Sequence, residues 1–493
     1  MNYIIILVIG ILSSQDMNTD TSFESSGTTG SVGTVTMNGQ VYNQLSLRPE
    51  IPIRNLGVGL DIYLYFNDDG MYWESWNFSG FGPAYRTIID KIYYLKWGKP
   101  GDNLYFMAGA LSSVTLGHGI LVNNYANIME YPQVRQMGFN LQANVAGIGI
   151  EIIHSNFKSA TPGVFGLRGS YFIHPKVSIG ASIVTDLNQM AGLPDSDGDN
   201  YPDYYDFYPT DPAKFDSSSF YRDIYINING SVNGFDNWYS TSGYNNEYNL
   251  EDTKKDEISG VAFDATLSVN KNLTFYSQFG MLLGEINDAI YTGEDKDLGW
   301  GLVPVGALTQ FGPLELQAEY RIGSRSFLFN YWDKSYDLNR VSIFSTNELK
   351  TRESQLFKYG KLSGFYVKTN IAVMHLLTIG IGYQNMNGET WNSTDNIYTT
   401  GESNQTFLST IGVNPTLIPK VGKAEAYYQQ SNVSNPFAFT PNSSTIWGYN
   451  IGVEVSSGVM LVYQLRTTYI SDLDNPGEFL PIKSIQIETK FVI

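Results

Sequence analysis

The residues of this chain that are best suited to chemistry are the acids of the segment 195–206, which reads DSDGDNYPDYYD. Carboxylates stand at relative positions 1, 3, 5, 9 and 12 of this segment. Calcium takes about six to eight oxygen ligands from carboxylates, backbone carbonyls and water in a compact loop. We therefore predict a structural calcium site formed by Asp195, Asp197, Asp199, Tyr201, Asp203 and Asp206.

The backbone chemistry of this segment agrees with a metal loop. Gly198 and Asn200 can take the left-handed conformations that a tight loop needs. The acid spacing resembles that of thrombospondin type 3 calcium repeats, with Asn200 in place of a second glycine. The alternative is an acidic loop tip without metal, but its five carboxylates would then repel one another. The ion would order the long segment 188–258.

His118 is the histidine with a catalytic interpretation. It lies between Gly117 and Gly119, close in sequence to Ser112 and Ser113, so one hypothesis makes it the base of a lipid hydrolase. The other hypothesis, which we favour, is a glycine-flanked bend at the rim of the fold. Because the sequence also lacks a phosphate-binding glycine loop, zinc-ligand spacing and a nucleophile elbow, we expect no enzyme and no catalytic residues.

Alternating hydrophobicity dominates the chain from about residue 55 onward. In the segment 55–66, NLGVGLDIYLYF, large apolar side chains occupy every second position, and the segments 314–321 and 449–456 repeat the pattern. A period of two with one apolar face predicts β-strands. The composition agrees, because aromatic residues (35 Tyr, 27 Phe and 8 Trp) and 48 Gly accompany only 16% charged residues.

Short and long connections alternate between these strands. Short turns are expected at 98–102, 174–176, 270–271, 311–313 and 457–458, and long polar loops at 67–87, 113–137, 188–258, 323–360 and 387–445. This sorting is typical of a transmembrane β-barrel with short periplasmic turns and long extracellular loops. Eight strand pairs predict an all-β antiparallel barrel of about 16 strands, with a range of 14–18 because segments 34–46 and 418–428 stay unassigned.

Charged residues on the polar faces of the strands are candidates for lining a pore. Charges in a lumen set ion preference, although they also hydrate the wall and pair with one another. With Lys490 the set holds six acids and four bases, too small an excess to predict selectivity. The predicted lining residues are Asp61, Glu151, Glu315, Glu319, Arg321, Lys368, Glu454, Arg466 and Glu488.

The C-terminal segment 483–493, KSIQIETKFVI, carries a family resemblance. It places Ile485, Ile487 and Phe491 on one face and polar residues such as Gln486 and Glu488 on the other. In this the chain resembles bacterial outer-membrane β-barrel proteins of the porin-like kind, with Ile493 replacing the usual final aromatic residue. The resemblance implies location in a Gram-negative outer membrane, contact with its lipid, and the homo-oligomers found among porins.

Composition and the N-terminus bound the remaining classes. The chain has no cysteine, which excludes disulfides, thiolate sites and a lipoprotein anchor, and its net charge of −18 makes nucleic acid an unsuitable partner. The apolar run 4–12 suits the core of a signal peptide. We expect a signal peptide at 1–15, a flexible segment at 16–33 and the barrel at 34–493.

Two functions are compatible with this organisation. The first is a porin-like channel for passive diffusion of small hydrophilic solutes. The alternative is a structural or adhesive surface protein that binds a ligand or partner through its calcium-ordered loop 188–258. An open lumen would favour the channel, whereas a filled one would favour the surface role.

Overall fold

The computed structural model describes most of the chain after residue 27. The described residues are 28–37, 40–68, 70–129, 136–157, 163–193, 206–208, 211, 213–214, 216–242, 257–286, 296–343, 349–374, 376–392, 394–401, 403–414, 417–472, 475 and 478–492. Long antiparallel strands dominate this part of the chain, joined by loops that carry a few short helices.

The strands of the main sheet are numbered here in chain order, and β3 and β16 are each interrupted once. They are β1 (Thr28–Met37), β2 (Gln40–Ile53), β3 (Leu56–Leu60 and Ile62–Asn67), β4 (Ile92–Trp97), β5 (Leu104–Gly109), β6 (Gly138–Val145), β7 (Ile148–His154), β8 (Val164–His174), β9 (Val177–Asp186), β10 (Ile258–Asn270), β11 (Leu273–Leu283), β12 (Trp300–Phe311), β13 (Leu314–Gly323), β14 (Tyr359–Val373), β15 (Leu377–Asn392), β16 (Ile397–Thr400 and Asn404–Val413), β17 (Val421–Val433), β18 (Ile446–Ser456), β19 (Val459–Ser471) and β20 (Phe479–Val492).

Smaller elements lie in the connections, among them a two-residue strand, Gly70–Met71, that pairs with Phe66 and Asn67 of β3. The α-helices are α1 (Phe81–Asp90), α2 (Ser217–Asn229), α3 (Phe235–Ser242) and α4 (Tyr336–Asn339). Single turns of 3₁₀-helix span Trp73–Trp76, Gln189–Gly192, Leu356–Lys358 and Pro436–Ala438, and a separate small ladder joins Val341–Ile343 to Leu349–Thr351. No helix in the described residues is both long and apolar enough to cross a membrane.

The main sheet closes on itself into a barrel of 20 antiparallel strands. Each strand pairs with its neighbours in sequence, and β1 pairs with β20 from Thr29 opposite Val492 to Val35 opposite Gln486. Closure gives every strand a partner on both sides over at least part of its length, and such pairing is the condition for a β-structure to exist in hydrocarbon. The prediction of an all-β closed antiparallel barrel is therefore confirmed, whereas the prediction of about 16 strands is wrong.

The missing strands come from two places. The unassigned segment 34–46 belongs to the hairpin of β1 and β2, and within the described residues the barrel already includes Thr28, ahead of the expected boundary at residue 34. The region 376–456, expected to hold two strands and a long loop, holds four, β15 to β18. Strand β16 reads NQTFLSTIGV in its second part, where polar residues fall on both faces, so it gave no clear alternation.

The two faces of the wall differ in chemistry. Along β10, Phe263 is 55% exposed and points out, whereas its neighbour Ala262 is buried inside. The same outward exposure of large apolar side chains recurs around the ring, for example at Leu47, Leu167, Ile183, Val305, Phe365, Ile381, Ile411, Val453, Leu461 and Ile487. Such an apolar outer band is the surface that lipid covers in membrane barrels.

Two long connections fold into the barrel. We call residues 110–129 the first inner loop and the described residues of 324–358 the second inner loop. They join backbone to backbone, because Asn123 N donates to Trp332 O at 3.1 Å and Trp332 N donates to Leu121 O at 3.1 Å. Their apolar side chains form one buried cluster with inward-facing wall residues such as Val184, Ala262 and Val303.

The first inner loop crosses the lumen. At one end of the crossing, His118 contacts Thr266 of β10; at the other, Arg466 of β19 donates to the carbonyl of Ile128 at 3.0 Å. Strands β10 and β19 are nine positions apart in a ring of 20, so they lie on nearly opposite sides. The middle of the barrel is therefore occupied by chain and not by open solvent.

Candidate functional site

The lumen is lined by ion pairs that hold the inner loops. On the wall, Arg168 of β8 donates to Glu151 of β7 and to Asp264 of β10, the latter at 2.9 Å from Nη2 to Oδ1. Arg168 can extend across β9 to Asp264 because the residue between them is Gly180. A Cβ at that position would come within 2.5 Å of both Arg168 Nη2 and Asp264 Oδ2. Gly117 of the first inner loop lies against this ion pair. Its backbone has a φ of +60°, in the left-handed region.

His118 lies in the lumen and not at the rim, which corrects the location that we expected. Its Nε2 is 2.7 Å from Thr266 Oγ1, and its ring stacks on Tyr276 with 4.0 Å between centroids. Burial lowers the pKa of His118 to about 4, although the nearby Asp264 acts in the opposite direction. The glycine-flanked bend is present, with φ +60° at Gly117 and +93° at Gly119.

The serines proposed as nucleophiles do not form a described pair with His118. Ser113 Oγ instead donates to Asn124 Oδ1 at 2.6 Å within the first inner loop. The polar partner of the His118 ring is a threonine hydroxyl of the wall. The geometry of this histidine is therefore that of a packing contact between loop and wall.

A second polar network lies on β11, β13, β14 and β15. Arg321 is buried; its Nε donates to Glu319 at 2.6 Å and its Nη1 to Gln384 at 2.5 Å. The guanidinium lies 4.0 Å from the ring centre of Tyr366 and 5.0 Å from that of Phe329, which belongs to the second inner loop. Glu319 and Arg321, two of the predicted lining residues, thus lie on the inner side of the wall, where they neutralise each other.

A third network joins the two inner loops to β9. Arg340 Nη1 contacts Asp186 Oδ2 at 3.2 Å, and Tyr336 OH donates to the same oxygen at 2.9 Å. Tyr125 of the first inner loop donates to Asp337 of the second at 2.8 Å. Burial raises the pKa of the Tyr336 hydroxyl well above its usual value, and the charge of Asp186 adds to this effect, so the phenol stays a donor.

The remaining predicted lining residues divide into those with a described polar partner and those without an ion pair in the described residues. Asp61 is fully buried and paired with Arg48 at 3.0 Å, and Arg48 also approaches Glu488 at 3.8 Å. Glu151 pairs with Arg168, and Arg466 binds the Ile128 carbonyl. Glu315 and Glu454 have no ion pair within the described residues. The apparent excess of lumen acids is therefore mostly cancelled by arginines.

A polar cavity of about 40 Å³ remains between the inner loops and the wall formed by β14 to β17. That volume holds about three water molecules. Of the predicted lining residues, Lys368 borders it. Its other walls are mostly amides, hydroxyls and aromatic rings: Asn123, Asn124, Phe329, Asn330, Asp333, Lys334, Tyr366, Gln384, Thr406, Leu408, Gln429, Ser431 and Asn432.

The sequence reasoning missed the inner loops and the cavity residues that they supply. The segment 323–360 was expected to be a polar surface loop, yet it contains the run FLFNYW at 327–332. Phe327, Tyr331 and Trp332 from this run are buried in the cluster. An aromatic run inside an otherwise polar loop is the signal that could have indicated inward folding.

The predicted calcium ligands lie almost entirely outside the described residues. Asp195, Asp197, Asp199, Tyr201 and Asp203 belong to the undescribed segment 194–205. Asp206 is described; it is buried, and its Oδ1 accepts the backbone N–H of Tyr208 at 2.7 Å. The calcium site stays a prediction.

Comparison with known proteins identifies no family. No family model and no curated protein matches the chain. Among solved structures, the chain is similar to OccK11 (OpdR) of Pseudomonas aeruginosa, at 8% identity over 94% of both chains with a TM-score of 0.33. It is also similar to Wzi of Escherichia coli, titled an outer-membrane carbohydrate-binding β-barrel, at 11% identity over 94% of this chain and 84% of that one, TM-score 0.31.

A further match is titled the copper transporter OprC, at 9% identity over 95% of this chain and 80% of that one, TM-score 0.34. Identities and TM-scores at this level do not transfer a function.

Proposed function

We propose that the chain is a channel of the bacterial outer membrane for small hydrophilic solutes, with a passage narrowed by its two inner loops. The observation that carries this proposal is the polar cavity between the loops and the wall at Tyr366, Lys368 and Gln384. The inner loops fill the middle of the barrel, which taken alone favours the surface role, but the space that remains beside the wall is bordered mostly by polar side chains, with Phe329 and Leu408 among its apolar members. A 20-stranded wall is wider than the 16 to 18 strands that already leave an aqueous channel, so narrowing is needed for any selectivity.

The chemistry of the cavity favours uncharged or anionic polar solutes. Amides of Asn123, Gln384 and Gln429 offer both donors and acceptors, which suit hydroxyl groups. The single acid of the lining, Asp333, pairs with Arg352 at 3.2 Å, whereas the lining also holds Lys334 and Lys368. The local field is therefore not that of a cation filter.

The experiment uses the absence of native cysteine. Lys368→Cys places a thiol at the cavity, and its neighbour Val367→Cys places one on the outer face of the same strand. In planar bilayers we expect discrete conductance steps that fall after a water-soluble thiol reagent reacts with Lys368→Cys and stay unchanged for Val367→Cys. A barrel that never conducts would overturn the channel proposal. If the reagent blocks conductance in neither variant, the solute passage lies away from this cavity.

Location in the outer membrane is part of the same proposal. The apolar outer band and the closed ring support insertion into a bilayer. A signal peptide at 1–15 would direct export. Cell fractionation should recover the protein with the outer membrane, and recovery in the soluble fraction without detergent would contradict this location.

The second candidate function is binding at the cell surface through the loop 188–258. It is supported by α2 and α3, which pack through the aromatic residues Tyr221, Tyr225 and Trp238 and leave Ile228 of α2 exposed. We propose that calcium at 195–206 orders this loop. Calcium should then slow proteolysis of the loop in the intact protein, and Asp197→Asn combined with Asp199→Asn should remove the effect.

A further inference from the structure

The strands on one side of the barrel are much shorter than those on the opposite side. Strands β4 and β5 have six residues each, β6 has eight and β7 has seven, whereas β14 has 15 and β15 has 16. A tilted transmembrane strand needs about 9–11 residues to cross the hydrocarbon. These four strands are too short to form the wall over the full depth of a bilayer.

Pairing between strands ends partway along β3. Pairing between β3 and β4 runs from Leu56 opposite Trp97 to Leu60 opposite Ile92, and then ends. The upper segment of β3, Ile62–Asn67, continues beyond this point and still pairs with β2 on its other side. On the β4 side, only Phe66 and Asn67 have a strand partner, the two-residue strand Gly70–Met71. Without further partners the rest of this edge would expose backbone groups to lipid, which is costly.

The segment that follows this short strand covers the rest of the edge. Tyr72 N donates to Tyr65 O at 2.9 Å, and the indole N–H of Trp76 donates to Tyr63 O at 2.9 Å. Below them, Asp61 N donates to Lys91 O at 2.8 Å. The chain from 70 to 91, which includes α1, therefore satisfies the edge that β4 leaves open.

This segment is fixed at its inner side by a buried lysine. Lys91 Nζ donates to Ser75 O at 2.7 Å and lies 3.8 Å from the ring centre of Tyr63 and 4.5 Å from that of Trp76. Thr87 of α1 is buried and exchanges hydrogen bonds with the backbone of Asn77. One side of α1 is thus held against the barrel.

The opposite side of α1 is apolar and uncovered. Phe81 is 91% exposed and Ile88 is 59% exposed, and Tyr85 lies between them on the same helical face. Trp73 and Phe78, just before the helix, are exposed as well. The segment that carries this patch is hydrogen-bonded to β3 at Tyr63 and Tyr65, and Ile62 and Phe66 of the same strand are exposed members of the outer band.

We propose that α1 is a lipid-contacting part of the barrel wall, with Phe81, Tyr85 and Ile88 inserted among the acyl chains of the outer leaflet. The occupant of the patch is lipid because the segment that carries it is hydrogen-bonded to a strand of the lipid-facing wall, and because it lies beside strands that are too short to span a bilayer. An amphipathic helix in this position buries its apolar face about 5–10 Å below the headgroups. The helix closes a lateral gap in the wall beside the upper part of β3, which the short strands leave open.

Fluorophores at single introduced cysteines test this placement in reconstituted vesicles. Phe81→Cys and Ile88→Cys carry the label on α1; Phe263→Cys is the control on a lipid-facing strand, and Ile228→Cys is the control on exposed α2. Lipids with a nitroxide near the top of the acyl chain should remove about half of the emission or more at 81, 88 and 263, and little at 228. Aqueous iodide should act mainly at 228.

Two outcomes would overturn the proposal. Iodide quenching at 81 and 88 equal to that at 228 would place α1 in water. Protection of 81 and 88 from both quenchers would place protein, such as a second copy of this chain, over the patch. Because these labels report on location and not on conduction, they are independent of the solute pathway.

Discussion

The guanidinium of Arg168 reaches over Gly180 to the carboxylate of Asp264, with 2.9 Å between Nη2 and Oδ1. Three neighbouring strands, β8, β9 and β10, form this arrangement. The middle strand carries Gly180, which has no side chain, at the point that Arg168 crosses. The first inner loop lies on the pair through Gly117. Wall charge and loop position are therefore coupled in the native barrel.

Gly180→Val should disrupt this coupling. A branched side chain would displace both ions, and breaking a buried ion pair costs about 3–5 kcal/mol. The free energy of unfolding from detergent or vesicles should fall by about that amount. Gly169→Ala on β8 is the control, because a Cβ there meets no atom within 4 Å. Equal stability of the two variants would show that the Arg168–Asp264 pair contributes nothing.

Removal of Arg340 should release the second inner loop. The charge of this guanidinium holds Asp186 and lies beside Asp337, all three of them buried. Arg340→Ala should cost about 3–5 kcal/mol and raise the channel conductance as the loop leaves the lumen. Arg325→Ala removes a half-exposed pair with Glu389 and should cost less than about 1 kcal/mol. An unchanged conductance in Arg340→Ala would mean that the second inner loop does not limit the passage.

Acidification should weaken the first inner loop at His118. The folded-state pKa of about 4 lies below the ordinary value of 6.5, so the unfolded or released histidine binds a proton more readily. The stability that neutral His118 contributes is therefore complete above pH 6.5 and is lost as the pH falls towards 4. Protonation also places a cation beside Arg168, although Asp264 and Glu319 oppose this effect.

Hydrogen exchange of residues 116–121 between pH 7 and pH 4 measures this loss, after correction for the intrinsic pH dependence of exchange. His118→Gln keeps a polar side chain but cannot titrate in this range, so its protection should not change with pH. A wild-type profile identical to that of His118→Gln would exclude the histidine as the sensitive group.

A charge on the outer face should destabilise the barrel only if lipid covers that face. Phe263→Arg lies near the middle of β10 and should cost about 2–4 kcal/mol in vesicles. The control Ile228→Arg on α2, where the native side chain is 77% exposed, should be nearly neutral. Unfolding free energies of the two variants give the comparison, and an equally small effect at both sites would argue against a membrane-embedded wall.

The sequence predicted the parts of the fold that follow directly from alternation. The inward positions of Glu319, Arg321 and Glu488, and the outward positions of Val453 and Ile487, all follow from a period of two on a wall with one wet and one apolar face. The closed ring follows as well, because a sheet in lipid cannot keep an edge.

The strand number and the interior could not be predicted in the same way. In the second part of β16, polar residues such as Asn404, Gln405 and Thr406 occupy both faces of the strand. The alternation of apolar and polar residues is then lost, and the sequence pattern predicts a loop instead of a strand. The inner loops were missed because burial of Tyr125 or Trp332 depends on contacts between segments about 200 residues apart. Local patterns do not encode such contacts.

The crossing of the lumen by the first inner loop has a mechanical consequence. A ring of hydrogen-bonded strands resists stretching along its circumference but flattens easily into an oval. A packed segment fixed at Thr266 on one side and at Arg466 on the other acts as a strut that sets the diameter. We therefore expect this segment to oppose lateral pressure from a surrounding bilayer and to keep the spacing between the inner loops and the wall constant.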